Sequence, residues 1–236
     1  MSRHIFEQYD AELETVRRRF MEMGGLVEQQ MRDAVHALVT QDSDLAQQIR
    51  TRDHEVNRFE VSLDEQCIQI IARRQPAAGD LRLLVTIMKS STDLERIGDE
   101  ADRIARMALG TSRLAAPPEY FQELRNLFDM VSKMVSSALD AVARLDTEEA
   151  LTQIAADKQV DNAYHDVLQH LVAHMSVHPE SVEQSMATIW AARALERIGD
   201  HAKNISEYVL YLVKGKDIRH LPKGTLAAEV VKASGP

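Results

Sequence analysis

One hexapeptide, Leu-Glu-Arg-Ile-Gly-Asp, occurs twice in this chain, at residues 94–99 and at residues 195–200, an offset of 101 residues. The match extends upstream, where Asp53 corresponds to Asp157 at an offset of 104 residues. Because the offset is almost constant over such a length, the sequence indicates a duplicated structural unit rather than a motif repeated by chance. The two halves are therefore expected to fold alike.

The scarcity of breaks in the chain predicts long helices. Six prolines and nine glycines occur in 236 residues, and the apolar residues between them recur at the spacing of α-helices. The segments at residues 41–44 and 145–149 supply the turn and N-cap residues for the helices that follow. The six predicted helices span about residues 5–41, 44–74, 80–109, 118–145, 149–177 and 182–215.

Composition supports an all-α fold. The chain is 44% apolar and 28% charged but only 5% aromatic, a balance that favours long helices over sheets. We expect two tandem, internally duplicated three-helix bundles. The loop Leu109–Glu119 is the predicted linker, which gives a first bundle at residues 1–112, a second at residues 113–215 and a weakly ordered tail at residues 216–236.

The third and sixth predicted helices carry an apolar stripe whose members are alternately four and three residues apart, as in a coiled coil. The stripe contains Leu83, Ile87, Ser90, Leu94, Ile97, Ala101, Ile104 and Ala108 in the third helix, and Ala191, Leu195, Ile198, Ala202, Ile205, Val209 and Leu212 in the sixth. At about 100° per residue, Gly98 lies beside this stripe and the carboxylates of Glu95 and Asp99 lie on its flank. Glu196 and Asp200 occupy the same flank of the sixth helix.

Matching polar pairs occur on the second and fifth predicted helices, where Asp53 precedes Asn57 and Asp157 precedes Asp161. In neighbouring antiparallel helices, such flanks either face each other or point apart. If they face each other, each half contains a groove with at least four oxygen ligands. Like charges at i,i+4 cost about 0.2–0.5 kcal/mol and a helical glycine costs about 1 kcal/mol, so their repetition favours a function.

The type of ligand follows from the side chains. Carboxylates without thiols suit hard or borderline cations, so the expected ligand is a divalent or iron-type ion (Mg²⁺, Mn²⁺, Ca²⁺, iron or Zn²⁺), without an organic cofactor. The alternative is that Asp99 pairs with Arg103 and the other acids lie on a solvated face. A separate and weaker zinc candidate consists of His170, His174 and His178, spaced four residues apart.

Several classes of protein are excluded by charge and cysteine content. A formal net charge of −9 argues against broad contact with nucleic acid or anionic lipid, which requires a basic surface. Cys67 is the only cysteine, which excludes an internal disulfide and is typical of a reducing compartment, and we expect it to be a small core residue. Neither a signal peptide nor an apolar run of about 18 residues is visible, so a cytoplasmic location is expected.

The two hexapeptides, together with RRQPAAGDLR (residues 73–82), MGGLVEQQ (residues 23–30) and DNAYHD (residues 161–166), resemble the PhoU family of regulators of bacterial phosphate uptake. The resemblance covers about residues 5–222. It implies two three-helix bundles, side by side, whose Glu/Asp-x-x-x-Asp pairs hold metal ions. The corresponding positions in this chain are Asp53, Asn57, Glu95, Asp99, Asp157, Asp161, Glu196 and Asp200. Because Asn57 is an amide where the other pairs end in Asp, we expect weaker metal retention in the first half, and Arg103 in place of the amide at Asn204 is a further difference.

The resemblance also implies a role. It predicts a cytoplasmic negative regulator of the phosphate-starvation response and of phosphate uptake. This adaptor would link the ATPase subunit of the phosphate ABC transporter to the phosphate-sensing histidine kinase. A homodimer is expected, recruited to the inner face of the membrane through the transporter, with no nucleic-acid partner, no membrane insertion and no enzymatic activity. The alternatives are a carboxylate-bundle metal-binding protein or metal-dependent enzyme, and a structural duplication whose acids only maintain solubility.

Overall fold

The computed structural model describes residues 2–111 and 121–215, with side chains from residue 7 onward. Within this part of the chain there are six α-helices and no strand. The helices are α1 (Ser2–Thr40), α2 (Ser43–Arg74), α3 (Ala78–Thr111), α4 (Gln122–Arg144), α5 (Thr147–Val177) and α6 (Val182–Lys214), with a 3₁₀ turn at Pro179–Ser181 between α5 and α6. The predicted all-α fold with six long helices is confirmed.

The same local device begins the second helix of each half. Asp42 is the N-cap of α2, where its side chain accepts a hydrogen bond from the backbone N–H of Leu45 at 2.9 Å. Asp146 is the N-cap of α5 and accepts from the N–H groups of Glu148 and Glu149, each at 3.0 Å. These bonds satisfy donors that a helix N-terminus leaves without partners. Both predicted capping segments are therefore confirmed.

Most predicted helix boundaries are close to the observed ones. Two corrections concern α1, which begins three residues earlier than predicted, and α3, which continues through Leu109 to Thr111, so the linker cannot begin at Leu109. The predicted start of the fourth helix at Pro118 and most of the linker fall at residues 112–120, outside the described residues. The tail predicted at residues 216–236 also lies outside them.

The helices pack as two three-helix bundles. The first bundle consists of α1, α2 and α3, and the second consists of α4, α5 and α6. The main contact between the bundles is that of α3 with α6, and α1 also packs against α4. The arrangement places α2 and α5 on the outside, each against the third helix of its own bundle.

The predicted apolar stripes form the core. Every stripe residue of α3 and α6 is at most 7% exposed, as is the stripe of α2 at Val56, Leu63 and Ile70. Cys67 is also fully buried, as predicted. The buried apolar residues of the two bundles form one continuous cluster, because α3 and α6 pack against the helices of their own bundle and against each other. No helix among the described residues is long and apolar enough to cross a membrane.

A polar cluster lies within the contact between α3 and α6. Oδ1 of Asp93, which is buried, lies 2.7 Å from Nδ1 of His201 and accepts a hydrogen bond from Nδ2 of Asn204 at 3.1 Å. About two turns further along α3, buried Glu100 pairs with Arg197 of α6 at 3.2 Å. Each of these two buried carboxylates therefore has a partner on the opposite helix, which joins α3 to α6 within the contact.

Candidate metal-binding grooves

The polar flanks of the second and third helices in each bundle face each other. In the first bundle, Oγ1 of Thr92 on α3 donates to Glu60 on α2 at 3.0 Å. In the second, Nζ of Lys203 on α6 donates to Oδ2 of Asp157 on α5 at 2.7 Å. We define the first groove by Asp53, Asn57, Glu95 and Asp99, and the second groove by Asp157, Asp161, Glu196 and Asp200.

The repeated glycine lies where the two helices of each groove are closest. A Cβ atom placed on Gly98 would lie 3.3 Å from Cγ1 of Val56, and a Cβ on Gly199 would lie 3.2 Å from Cγ1 of Val160. Both distances are shorter than a comfortable carbon–carbon contact. Glycine therefore allows the two acidic flanks to come together.

The floor of the first groove is a buried amide from α1. Gln30 is 3% exposed, and its Nε2 donates to Oδ1 of Asp53 at 3.2 Å and to the carbonyl of Gly98 at 3.4 Å. Its Oε1 is buried and has no hydrogen-bond partner among the described residues, and the same holds for Oδ1 of Asn57. Buried acceptor oxygens without a donor are costly, and contact with a cation removes that cost.

Burial and mutual repulsion make the first groove unfavourable for negative charge. Burial raises the pKa of Asp53, and the charges of Asp102 and Asp99 raise it further, against the opposing effect of the Gln30 hydrogen bond. Burial likewise raises the pKa of Glu95, followed by the charge of Asp99. A bound cation would stabilise the ionised form of both groups.

One arginine, Arg96, neutralises part of this groove at its edge. Arg96 contacts Oδ2 of Asp99 at 3.2 Å and Oε2 of Glu95 at 3.5 Å. The alternative of a pair between Asp99 and Arg103 is wrong, because Arg103 donates to Oε1 of Glu100 at 3.0 Å. The helix turns Arg103 away from the groove and towards the α3–α6 contact.

The second groove has an internal ammonium group. Asp157 is buried and accepts the 2.7 Å hydrogen bond from Lys203. Oε1 of Glu196 accepts from Nη1 of Arg193 at 2.6 Å, whereas its Oε2 is buried without a partner among the described residues. Burial raises the pKa of Glu196 and of Asp200, and the nearest carboxylates, Asp200 and Asp157 respectively, raise it further.

Sequence reasoning missed two residues that distinguish the grooves, Gln30 and Lys203. Lys203 corresponds to Asp102 at the offset of 101 residues, and Gln30 corresponds to Met134 at the offset of 104 residues. Comparing the halves at these positions would have shown the difference in charge and polarity. When only the four residues that define each groove are counted, the first groove has one negative charge fewer, because Asn57 is neutral. When Asp102 and Lys203 are also counted, the second groove has the smaller net negative charge.

The donor types fit a hard cation, but the side chains are not gathered around one point. Among the described residues, no three His, Cys, Asp or Glu side chains are arranged to hold a metal ion. Binding would therefore require the carboxylates on the groove flanks to change rotamer. Carboxylate and amide oxygens are the ligands that Mg²⁺, Mn²⁺ and Ca²⁺ prefer.

The three histidines near the end of α5 have other contacts. Nδ1 of His170 lies 3.0 Å from Glu123 on α4, and Nδ1 of His178 lies 3.1 Å from Glu180. The rings of His174 and His178 are tilted against each other with centroids 4.7 Å apart. The structure does not bring the three imidazoles to a common point among the described residues.

The geometry defines a class of protein: a duplicated helical bundle with an acidic groove in each half. The PhoU domain family matches residues 20–108 and residues 124–209. A "phosphate-specific transport system accessory protein PhoU homolog" of Pseudomonas putida is 50% identical over 230 residues, covering 98% of this chain and 90% of the relative. The protein of Escherichia coli (strain K12) described as "phosphate-specific transport system accessory protein PhoU" is 42% identical, covering 94% and 91%.

Solved structures agree with these sequence matches. The crystal structure of PhoU from Pseudomonas aeruginosa aligns with a TM-score of 0.84 at 50% identity, covering 88% of this chain and 100% of that one. The phosphate transport system regulatory protein PhoU from Streptococcus pneumoniae aligns with a TM-score of 0.81 at 27% identity, covering 89% and 98%. This chain belongs to the PhoU family.

Proposed function

We propose that this chain is an accessory protein of a phosphate-specific transport system and acts as a negative regulator of the phosphate-starvation response. The observation that carries the proposal is family membership over nearly the whole chain, at 42–50% identity to proteins named for that system. In this proposal, the protein is a cytoplasmic adaptor, not an enzyme. It links the ATPase subunit of the phosphate ABC transporter, at the inner face of the membrane, to the phosphate-sensing histidine kinase.

The architecture supports an adaptor. Two bundles joined through α3 and α6 have two separate outer helices, α2 and α5, so that a different partner can dock on each half. A homodimer would double these surfaces and is part of the proposal.

A genetic experiment tests the regulatory role. The chain is expressed in a bacterium that lacks its own PhoU protein and carries a reporter of the phosphate-starvation response. We expect the reporter to be repressed in high phosphate only when the chain is present. A reporter that stays fully active in high phosphate, with the chain stably expressed, would contradict the proposal.

A binding experiment tests the partners directly. The purified chain is mixed with the purified ATPase subunit and, separately, with the cytoplasmic part of the histidine kinase, and complexes are measured by analytical ultracentrifugation. We expect a complex with each partner and a dimer of the chain alone. If the chain regulates the reporter in the cell but binds neither the ATPase subunit nor the kinase, the adaptor mechanism is excluded.

We also propose that the acidic grooves bind divalent cations. Support comes from the raised pKa values of Asp53, Glu95 and Glu196, which show that these sites disfavour uncompensated negative charge. The unpartnered oxygens of Gln30 and Asn57 point to the same need. The ion would neutralise the flanks of α2 and α3 and hold them together.

Elemental analysis of the purified protein tests this second proposal, beside a variant with Glu95→Gln, Asp99→Asn, Glu196→Gln and Asp200→Asn. These amide replacements keep the size of each side chain and remove its charge. We expect metal in the original chain and none in the variant. Equal metal content in both would show that the grooves are not the sites.

A further inference from the structure

The two grooves differ in whether a positively charged side chain lies inside them. In the second groove, Nζ of Lys203 is 2.7 Å from Oδ2 of Asp157, and both side chains are largely buried, at 22% and 8% exposure. The carboxylates of Asp200 and Glu207 also attract this ammonium. An ammonium among three carboxylates occupies the electrostatic position that a bound metal ion would take.

Among the described residues, no ammonium group lies inside the first groove; its arginine, Arg96, contacts Asp99 and Glu95 at the edge of the groove. Asp102 stands at the position equivalent to Lys203, and it is paired with Arg106 at 2.5 Å and with Arg50 at 3.5 Å. Among the described residues, neither Lys nor Arg forms an ion pair with Asp53. The buried side-chain partner of Asp53 is the neutral amide of Gln30. Asp53 therefore has a neutral side-chain partner where Asp157 has an ammonium.

The floors of the grooves differ in the same direction. Gln30 presents a buried amide to the first groove, with its Oε1 lacking a partner among the described residues. In the second bundle, the equivalent residue is Met134, whose sulfur lies 4.0 Å from the Cβ position of Gly199. A thioether is a poor ligand for a hard cation, whereas an amide oxygen is a good one.

We propose that Lys203 is a built-in counter-cation of the second groove, so that a hard divalent cation binds in the first groove alone. This inference rests on the proposed cation binding by the grooves. It makes the two halves of the duplicated fold functionally different: one half responds to divalent metal, and the other is neutralised without it.

The stoichiometry of Mn²⁺ binding tests the proposal. Isothermal titration calorimetry is performed on the metal-free full chain and on Lys203→Met, which keeps the length and apolar character of the lysine stem. We expect one Mn²⁺ ion per original chain and two per Lys203→Met chain. Lys203→Arg, which keeps the charge, and Lys133→Met, which removes an exposed ammonium on α4, should each bind one.

Two further variants locate the ions. Glu95→Gln should abolish binding to the original chain, since it lies in the first groove. Adding Glu196→Gln to Lys203→Met should reduce the stoichiometry from two to one, since it disables the groove that was opened.

The outcomes separate the two proposals. Two equivalent ions in the original chain, unchanged in Lys203→Met, would overturn the role of Lys203 while leaving cation binding by the grooves intact. No Mn²⁺ binding to either protein would overturn both. Circular dichroism tests whether Lys203→Met folds. If this variant does not fold, a stoichiometry of two in the original chain, or a stoichiometry other than one in Lys203→Arg, still overturns the proposal.

Discussion

At the scale of single residues, the repeated glycines connect the sequence motif to the grooves. Gly98 allows α2 and α3 to approach until a side chain on α3 would meet Val56. A larger residue would separate the flanks that hold the acids. The repetition of the glycine at Gly199 indicates that both bundles need this approach.

Substitution at Gly98 should therefore destabilise the fold despite the helical propensity of the new residue. For Gly98→Val, we expect a loss of about 1–3 kcal/mol from overpacking, measured by urea unfolding followed by circular dichroism. The matched control is Gly25→Ala on α1, where nothing lies within 4 Å of the new Cβ. It should stabilise the fold by about 0.5–1 kcal/mol. A neutral Gly98→Val would show that the helices can separate freely at this point.

At the scale of helices, side-chain pairs fasten the elements that frame the first groove. Arg74 at the end of α2 forms a two-pronged hydrogen bond with Glu12 of α1, at 2.7 Å and 3.0 Å. Tyr9 of α1 donates to Asp80 of α3 at 2.8 Å. These hydrogen bonds thus join α1 to both of its neighbours near the α2–α3 connection. Their residues are far in sequence from those that define the groove.

The pair of Glu12 and Arg74 should make stability depend on acid pH. The hydrogen bond from Arg74 lowers the pKa of Glu12 below its ordinary value of 4.5. The folded state therefore holds its proton less tightly than the unfolded state, so the stabilisation is complete above pH 4.5 and is lost as the pH falls through the lowered pKa.

Replacing this carboxylate tests the sign. Glu12→Gln should cost about 1 kcal/mol at pH 7, and the cost should shrink towards zero in strong acid, as measured by urea unfolding at several pH values. Glu22→Gln removes a carboxylate paired with Arg18 on the exposed surface of α1 and should change stability little. A cost for Glu12→Gln that did not vary with pH would contradict the assigned ion pair.

At the scale of the whole molecule, the two bundles share one core. Buried residues of both halves form a single cluster. In addition, Asp93 and Glu100 on α3 pair with His201 and Arg197 on α6, respectively. A duplicated chain could have contained two independent units. The shared interface instead joins the halves through α3 and α6.

Unfolding of the two halves should therefore occur in one transition. Cys67 in α2 is buried, and burial raises its pKa to about 12, so the thiol should react only when the first bundle opens. A second protein with Cys67→Ala and Ala150→Cys places the thiol at a buried site in α5. We expect pulsed thiol labelling in urea to give the same midpoint for both thiols and for circular dichroism. Separate midpoints would show that each bundle unfolds alone.

The sequence by itself determined the duplication, the six helices, the buried stripes and the acids on the flanks of those stripes. Each of these follows from residue spacing along one helix, because helical periodicity is a local property. Only the tertiary structure decided that the flanks face each other and what else enters the grooves. Gln30 reaches Asp53 from 23 positions away, and Lys203 reaches Asp157 from 46 positions away. The net charge of a groove depends on which helices pack together and at what rotation, and no local spacing contains that information.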